Sequence, residues 1–170
     1  MAKIMLFGSY KATGIPQELV NWLYQYTQQG HEFIVGDNKG ADVAFHKALS
    51  SVGAVDNTTI YSMGNPTSNI YKIKSRVFDT FFNEAAKQAE IVLRAADGNP
   101  DPSFEPVIIE NIPDTNSITL NSKWYEFKDR QMINDCDMAI CLWLGDSKSL
   151  VHCIQLLNIK NKPCYTFKLD

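Results

Sequence analysis

Three short segments hold residues suited to gripping an anion: "GSYKATG" (Gly8 to Gly14), "GDNKG" (Gly36 to Gly40) and "GDSKS" (Gly145 to Ser149). Each combines glycine, a small hydroxyl or amide residue and one lysine. Glycine lets a phosphate approach the main chain, backbone N–H groups at a helix start carry partial positive charge, and lysine adds a full one. A single loop of this kind is also what an ordinary turn looks like, because Gly, Asp and Asn are turn formers. Three in comparable places point to a shared ligand. None matches G-x-x-x-x-G-K-[ST] or G-x-G-x-x-G, so neither a P-loop nor a dinucleotide fingerprint is present.

The elements around these loops alternate. "KIMLFGS" and "EFIVG" read as buried strands, and "NTTIYSMG" as a third. Between them, Ile15, Leu19, Trp22, Leu23 and Tyr26 recur at helical spacing after Pro16, and so do Ala41, Ala44, Phe45, Ala48, Leu49 and Val52. After Lys123 the rhythm resumes: helix "WYEFKDRQMINDC", strand "DMAICLWLG", helix "DSKSLVHCIQLLNI" with Ser147 as N-cap, strand "KPCYTFKL". Strand–helix alternation predicts an α/β, Rossmann-like parallel sheet with helices on both faces. In such a sheet ligands sit beyond the carboxyl ends of the strands, where all three loops fall.

Between the two halves the pattern changes. Ile70, Ile73, Val77, Phe81, Ala85, Ala89 and Val92 step by three and four, which predicts one long helix from Ser68 to Ala96. "PVIIENI" and "SITLN" then suggest a β-hairpin. The chain therefore reads as a single domain over 1–170 with an insertion at 68–121. The long apolar stripe fits either a homo-oligomer contact or a cover for one face of the sheet.

The bulk numbers bound the function. Sixteen Lys and Arg against nineteen Asp and Glu give a net charge of −3, which argues against an extended nucleic-acid surface. No run reaches the roughly 20 apolar residues of a membrane span, and no signal peptide is visible. Cys136, Cys141, Cys153 and Cys164 form no C-x-x-C pair and make no metal-like spacing with His31, His46 or His152. They read as reduced, buried thiols of a cytoplasmic protein. No metal or cofactor is expected.

"VGDNKGADVAFHKAL" and the stretch from "YEFKDRQM" to "NIKNKP" together resemble the SLOG superfamily, in its YspA and cpYpsA-related Rossmann-like branch. Members carry G-D-x-x-G-x-D after the second strand, a K-D-R-x-M helix and a W-D-G-x-S-x-G-T segment. The likeness covers residues 1–65 and 123–170. It implies binding of a nucleotide or nucleotide-derived small molecule. Related phosphoribohydrolases cleave a nucleotide N-glycosidic bond. Here the acidic residue after Trp143 is replaced by Leu144, the Gly-Thr pair by Ser149 and Leu150, and the hydrolases' glutamate by Cys153. Cleavage through an oxocarbenium-like state needs a carboxylate, so the loss of that glutamate favours binding over hydrolysis.

The candidate ligand-binding residues are Gly8, Ser9, Tyr10, Gly36, Asp37, Lys39, Gly40, Asp42, Arg76, Arg130, Gly145, Ser147, Lys148 and Ser149. Each has a plainer reading. Gly36 and Gly40 serve equally as turn and packing positions. Asp42 equally complements a helix dipole or reaches the opposing loop. Neither Asp37 nor Asp42 belongs at a phosphate, which it would repel. The resemblance implies a ligand-facing Arg130. Arg76, with Lys72, reads first as a solvated helix face. Ser9 suits a phosphate donor, Tyr10 a stacking surface, and Trp143 core filling. The histidines read as structural or surface residues. Three functions follow, in this order: a nucleotide-ligand sensor or sequestering module, an N-glycosidase in which Asp37, Asp42 or Glu126 replaces the missing glutamate, and a scaffold using the acidic insertion.

Overall fold

Alternation sets the central strand. β1 (Lys3–Gly8) sends Ile4 and Leu6 to one face and Met5 and Phe7 to the other, and all four are buried. A strand apolar on both sides belongs inside a sheet covered by helices. The computed structural model describes residues 1–63, 69–78, 123–144 and 148–169, and elements are numbered over these.

Helix α1 (Gln17–Gln28) follows Pro16 and buries Leu19 and Leu23. β2 (Glu32–Val35) leads through the Gly36–Gly40 loop into α2 (Ala41–Ser51), which buries Phe45 and Leu49. A short 3-10 turn, Val55–Asn57, precedes β3 (Thr58–Met63). β4 (Lys74–Phe78), α3 (Lys123–Asp135), β5 (Met138–Trp143), α4 (Lys148–Ile159) and β6 (Cys164–Lys168) complete the described elements.

The six strands form one parallel sheet in the order β4-β3-β2-β1-β5-β6. The chain builds outward from β1 to β4, then crosses back to place β5 on the other side of β1. The order therefore reverses between β1 and β5, and parallel strands open a crevice at that point. Leu19, Leu23, Phe45 and Leu49 of α1 and α2 pack with Ile4, Leu6, Phe33, Val35 and Ile60 on one face. Met132, Ile133, Leu156 and Leu157 of α3 and α4 pack with Met5, Phe7, Ile34 and Ala139 on the other. The architecture is the α/β, Rossmann-like layering that the alternation predicts.

One element corrects the sequence reading. Lys74–Phe78 is a strand, not the start of a long helix, and pairs Tyr61 with Arg76 along β3. The loop before it is closed by Asn69, whose side chain accepts from Ile73 N at 3.1 Å and donates to Ile73 O at 2.6 Å. Ile73 is thereby plugged into the α1–α2 side of the core at 3% exposure. Sheet pairing has overridden an apolar spacing that was compatible with a helix. The rest of the expected helix and the expected hairpin lie outside the described residues.

Candidate functional rim

The loops after β1, β2 and β5 follow three neighbouring strands of one parallel sheet. They therefore start from the same edge, over the crevice between β1 and β5. Gly145 and Ser147 lie outside the described residues, and Lys148 and Ser149 open α4. The remaining rim residues can be followed atom by atom.

Ser9 ends β1 as a hub. Its N–H donates to Leu142 O at 2.8 Å, and its carbonyl accepts from Ala12 N at 3.1 Å and Ala41 N at 3.0 Å. Its Oγ accepts from Lys11 N at 3.3 Å, and the residue is only 2% exposed. Gly8, beside it, has no room for a side chain: a Cβ would lie 2.6 Å from Leu142 O and 2.9 Å from the Ala41 Cβ. Gly40 is tighter still, since a Cβ there would strike the carbonyl of Tyr10. These contacts press the β1 loop against the start of α2.

The β2 loop is closed from below. Asp42 Oδ2 accepts from Asn38 N at 2.9 Å, and His46 Nε2 donates to Gly36 O at 2.8 Å. His46 is fully buried, and its Nδ1 has no hydrogen-bond partner. A Cβ at Gly36 would lie 2.5 Å from Asp42 Oδ2 and 2.8 Å from Lys128 Nζ. Lys128 is 2% exposed and lies 3.5 Å from Asp129 Oδ1. Burial pushes the Asp42 carboxyl above its usual range, against the attraction of Lys128. Burial alone would lower the Lys128 ammonium, but Asp129 and Asp42 outweigh it and hold it above the usual lysine value.

Arg76 is not at this rim. It sits on β4, with Nη1 2.8 Å from Asp135 Oδ2 at the end of α3 and its guanidinium 5.3 Å from the centre of the Tyr61 ring. Tyr61 donates to the same carboxylate oxygen at 2.5 Å. Arg130 is on α3, one residue beyond Asp129 and partly exposed. Trp143 packs against the α3–α4 side of the core, with its Nε1 buried and unbonded. The outer surface of the rim carries Tyr10, 65% exposed, with Lys11 and Lys39, both exposed. Asp37 is partly buried.

Sequence reasoning missed Lys128. Lys128 falls in line with Met132 and Cys136 at helical spacing, which signals a buried face, but its charge hides the signal. His46, read as structural, falls on the buried side of α2. Lys11, the lysine of the first loop, stands next to Tyr10 and shares its exposure.

Among the described residues no group of three His, Cys, Asp or Glu side chains is placed to hold a metal ion, and no helix is long and apolar enough to cross a membrane.

The fold resembles that of DNA processing protein A. The solved structure is that of the Helicobacter pylori protein, described for its single-stranded DNA binding mode, at 15% identity and a TM-score of 0.58. The match covers 99% of this chain and 66% of that one, so the chain spans just under two thirds of its neighbour's length. No protein-family model and no curated protein matches the chain.

This neighbour corrects two expectations drawn from the sequence: a nucleotide-sized ligand, bound or cleaved, and the exclusion of an extended nucleic-acid partner. The local geometry supplies a physical reason. The amides of Asn38 and Ala41, which a phosphate would need at the start of α2, already donate to Asp42 and Ser9. Glycine, aspartate and asparagine here shape a turn that satisfies itself. The net charge of −3 was the other misleading signal, because it averages over the whole chain and says nothing of one edge.

Proposed function

We propose that this chain binds single-stranded nucleic acid across the rim formed by the ends of β1 and β2. The observation that carries the reading is Tyr10. A 65% exposed aromatic ring at the end of a central strand, with Lys11 and Lys39 exposed on the same rim, matches the parts of a single-strand platform. A base stacks on the ring, and the lysines meet the phosphates on either side. The fold likeness to a single-stranded DNA binding protein supports the same reading. "GDNKGAD" and "KDRQM" support placing the chain in the SLOG superfamily, with the loop motif acting as the frame of the platform.

Fluorescence anisotropy with a labelled oligothymidylate tests this; a length of about 16 nucleotides spans the usual site sizes of such grooves. Tyr10→Ala should weaken binding by about 5- to 150-fold, the range for loss of one stacked base. With two phosphate partners, log K should fall against log salt with a slope of about −1.4, and Lys11→Ala or Lys39→Ala should each remove about half of it. Binding unchanged in Tyr10→Ala, or absent at low salt, overturns the proposal.

A further inference from the structure

We infer that Lys128, buried beneath the β2 loop, is the positioning residue that sets the height of the rim, acting through Asp42. This rests on the nucleic-acid reading for its purpose but not for its geometry. Lys128 belongs to α3 and Asp42 to α2, so the pair crosses the plane of the sheet at Gly36. Only a glycine leaves that passage open, because a Cβ there would lie 2.5 Å from Asp42 Oδ2 and 2.8 Å from Lys128 Nζ. Asp42 in turn holds Asn38 N at 2.9 Å, which fixes the loop that carries Lys39. Gly40, at the end of that loop, lies against the carbonyls of Ser9 and Tyr10. The chain of contact therefore runs from Lys128 through Asp42 and the loop to the base of Tyr10.

Among the described residues, the pair faces the following charged and titratable groups. Asp42 faces Lys128 and Asp129 from α3 and His46 from its own helix. Lys128 faces Asp129, Asp42 and, from α4, Cys153. Two carboxylates face one ammonium, so removing the lysine leaves the buried Asp42 and the partly exposed Asp129 facing each other without it. Losing one partner of a buried ionic group costs far more than replacing the whole group by neutral residues.

Lys128→Met keeps most of the length of the side chain and deletes its charge. Asp42→Asn keeps an oxygen for Asn38 N. Two measurements on the full chain separate the claims: hydrogen exchange at the Asn38 amide by NMR, and anisotropy with the labelled oligothymidylate. In Lys128→Met, Asn38 should exchange about tenfold faster or more, and oligonucleotide affinity should fall severalfold. The variant should also recover protection as pH falls, because Asp42 and Asp129 then take up protons instead of repelling. Lys128→Met combined with Asp42→Asn should regain protection and affinity, and provides the readout if the single variant fails to fold. Unchanged exchange in a folded Lys128→Met, or a double variant no better than the single, overturns the inference. Exchange that behaves as expected in a protein that binds no oligonucleotide overturns the nucleic-acid reading alone and leaves the loop assignment standing.

Discussion

At Gly40 the backbone takes φ 78° and ψ −122°, a region that side chains avoid, and the neighbouring carbonyl of Tyr10 fills the space where a Cβ would go. Gly40→Ala is therefore strained twice and should cost at least about 2 kcal/mol in urea denaturation. Tyr61 behaves differently. Burial, then its hydrogen bond to Asp135, push the phenol from 10.0 up to about 12. The native state holds this proton more tightly than the unfolded chain does. The stability it contributes is present in full below pH 10 and is lost as pH climbs through about 12. Ultraviolet titration should show Tyr61 and Tyr26 ionising late, and Tyr61→Phe should remove the later of these and flatten that part of the stability profile. Residue types were legible in the sequence, but their partners were not. Gly36, Lys39 and Gly40 have the chemistry of a phosphate loop, and here the segment instead closes on itself through Asp42.

Among the elements, β4 shows how pairing outweighs pattern. Two devices tie this edge strand down: the buried Ile73 and the Arg76–Asp135 ion pair. Their weights differ. Arg76 has a half-exposed side chain, and such pairs contribute up to about 1 kcal/mol. Burying an isoleucine contributes more, and Ile73→Ala should cost about 2–5 kcal/mol against less than about 1 kcal/mol for Arg76→Ala. Chemical denaturation of the two variants checks the order. The other strands were legible because runs such as "IMLF" and "AICLW" are apolar on both faces. β4 carries Lys74, Ser75 and Arg76 and gains its identity from the backbone of β3, which no local pattern records. The parallel sheet and its helices followed from alternation alone, and the reversal between β1 and β5 followed only from the structure.

For the molecule as a whole, the thiols report on the integrity of one core face. Cys136, Cys141 and Cys153 are buried, and Cys164 is partly so. Burial pushes Cys136 to about 11 and Cys141 to about 12 and raises the other two. Thiolate is the reactive form, so an aromatic disulfide reagent at about pH 8 should label the native protein slowly and all four thiols at once in urea. Rapid labelling of the native chain would mean that the α3–α4 side of the sheet opens. The distribution of charge, unlike its total, is a property of this folded whole. The same sequence that sums to −3 lifts Tyr10, Lys11 and Lys39 onto one edge.

The Ser9 carbonyl, shared by two amides, has a kinetic consequence. Because it serves Ala12 and Ala41 together, the turn after β1 and the head of α2 cannot shift independently. Under the proposed function, a single strand arriving there would meet a stiff plate rather than a pair of arms that must fold inward. Its capture would forfeit little internal freedom, and speed of encounter, not rearrangement, would govern how fast it is taken up.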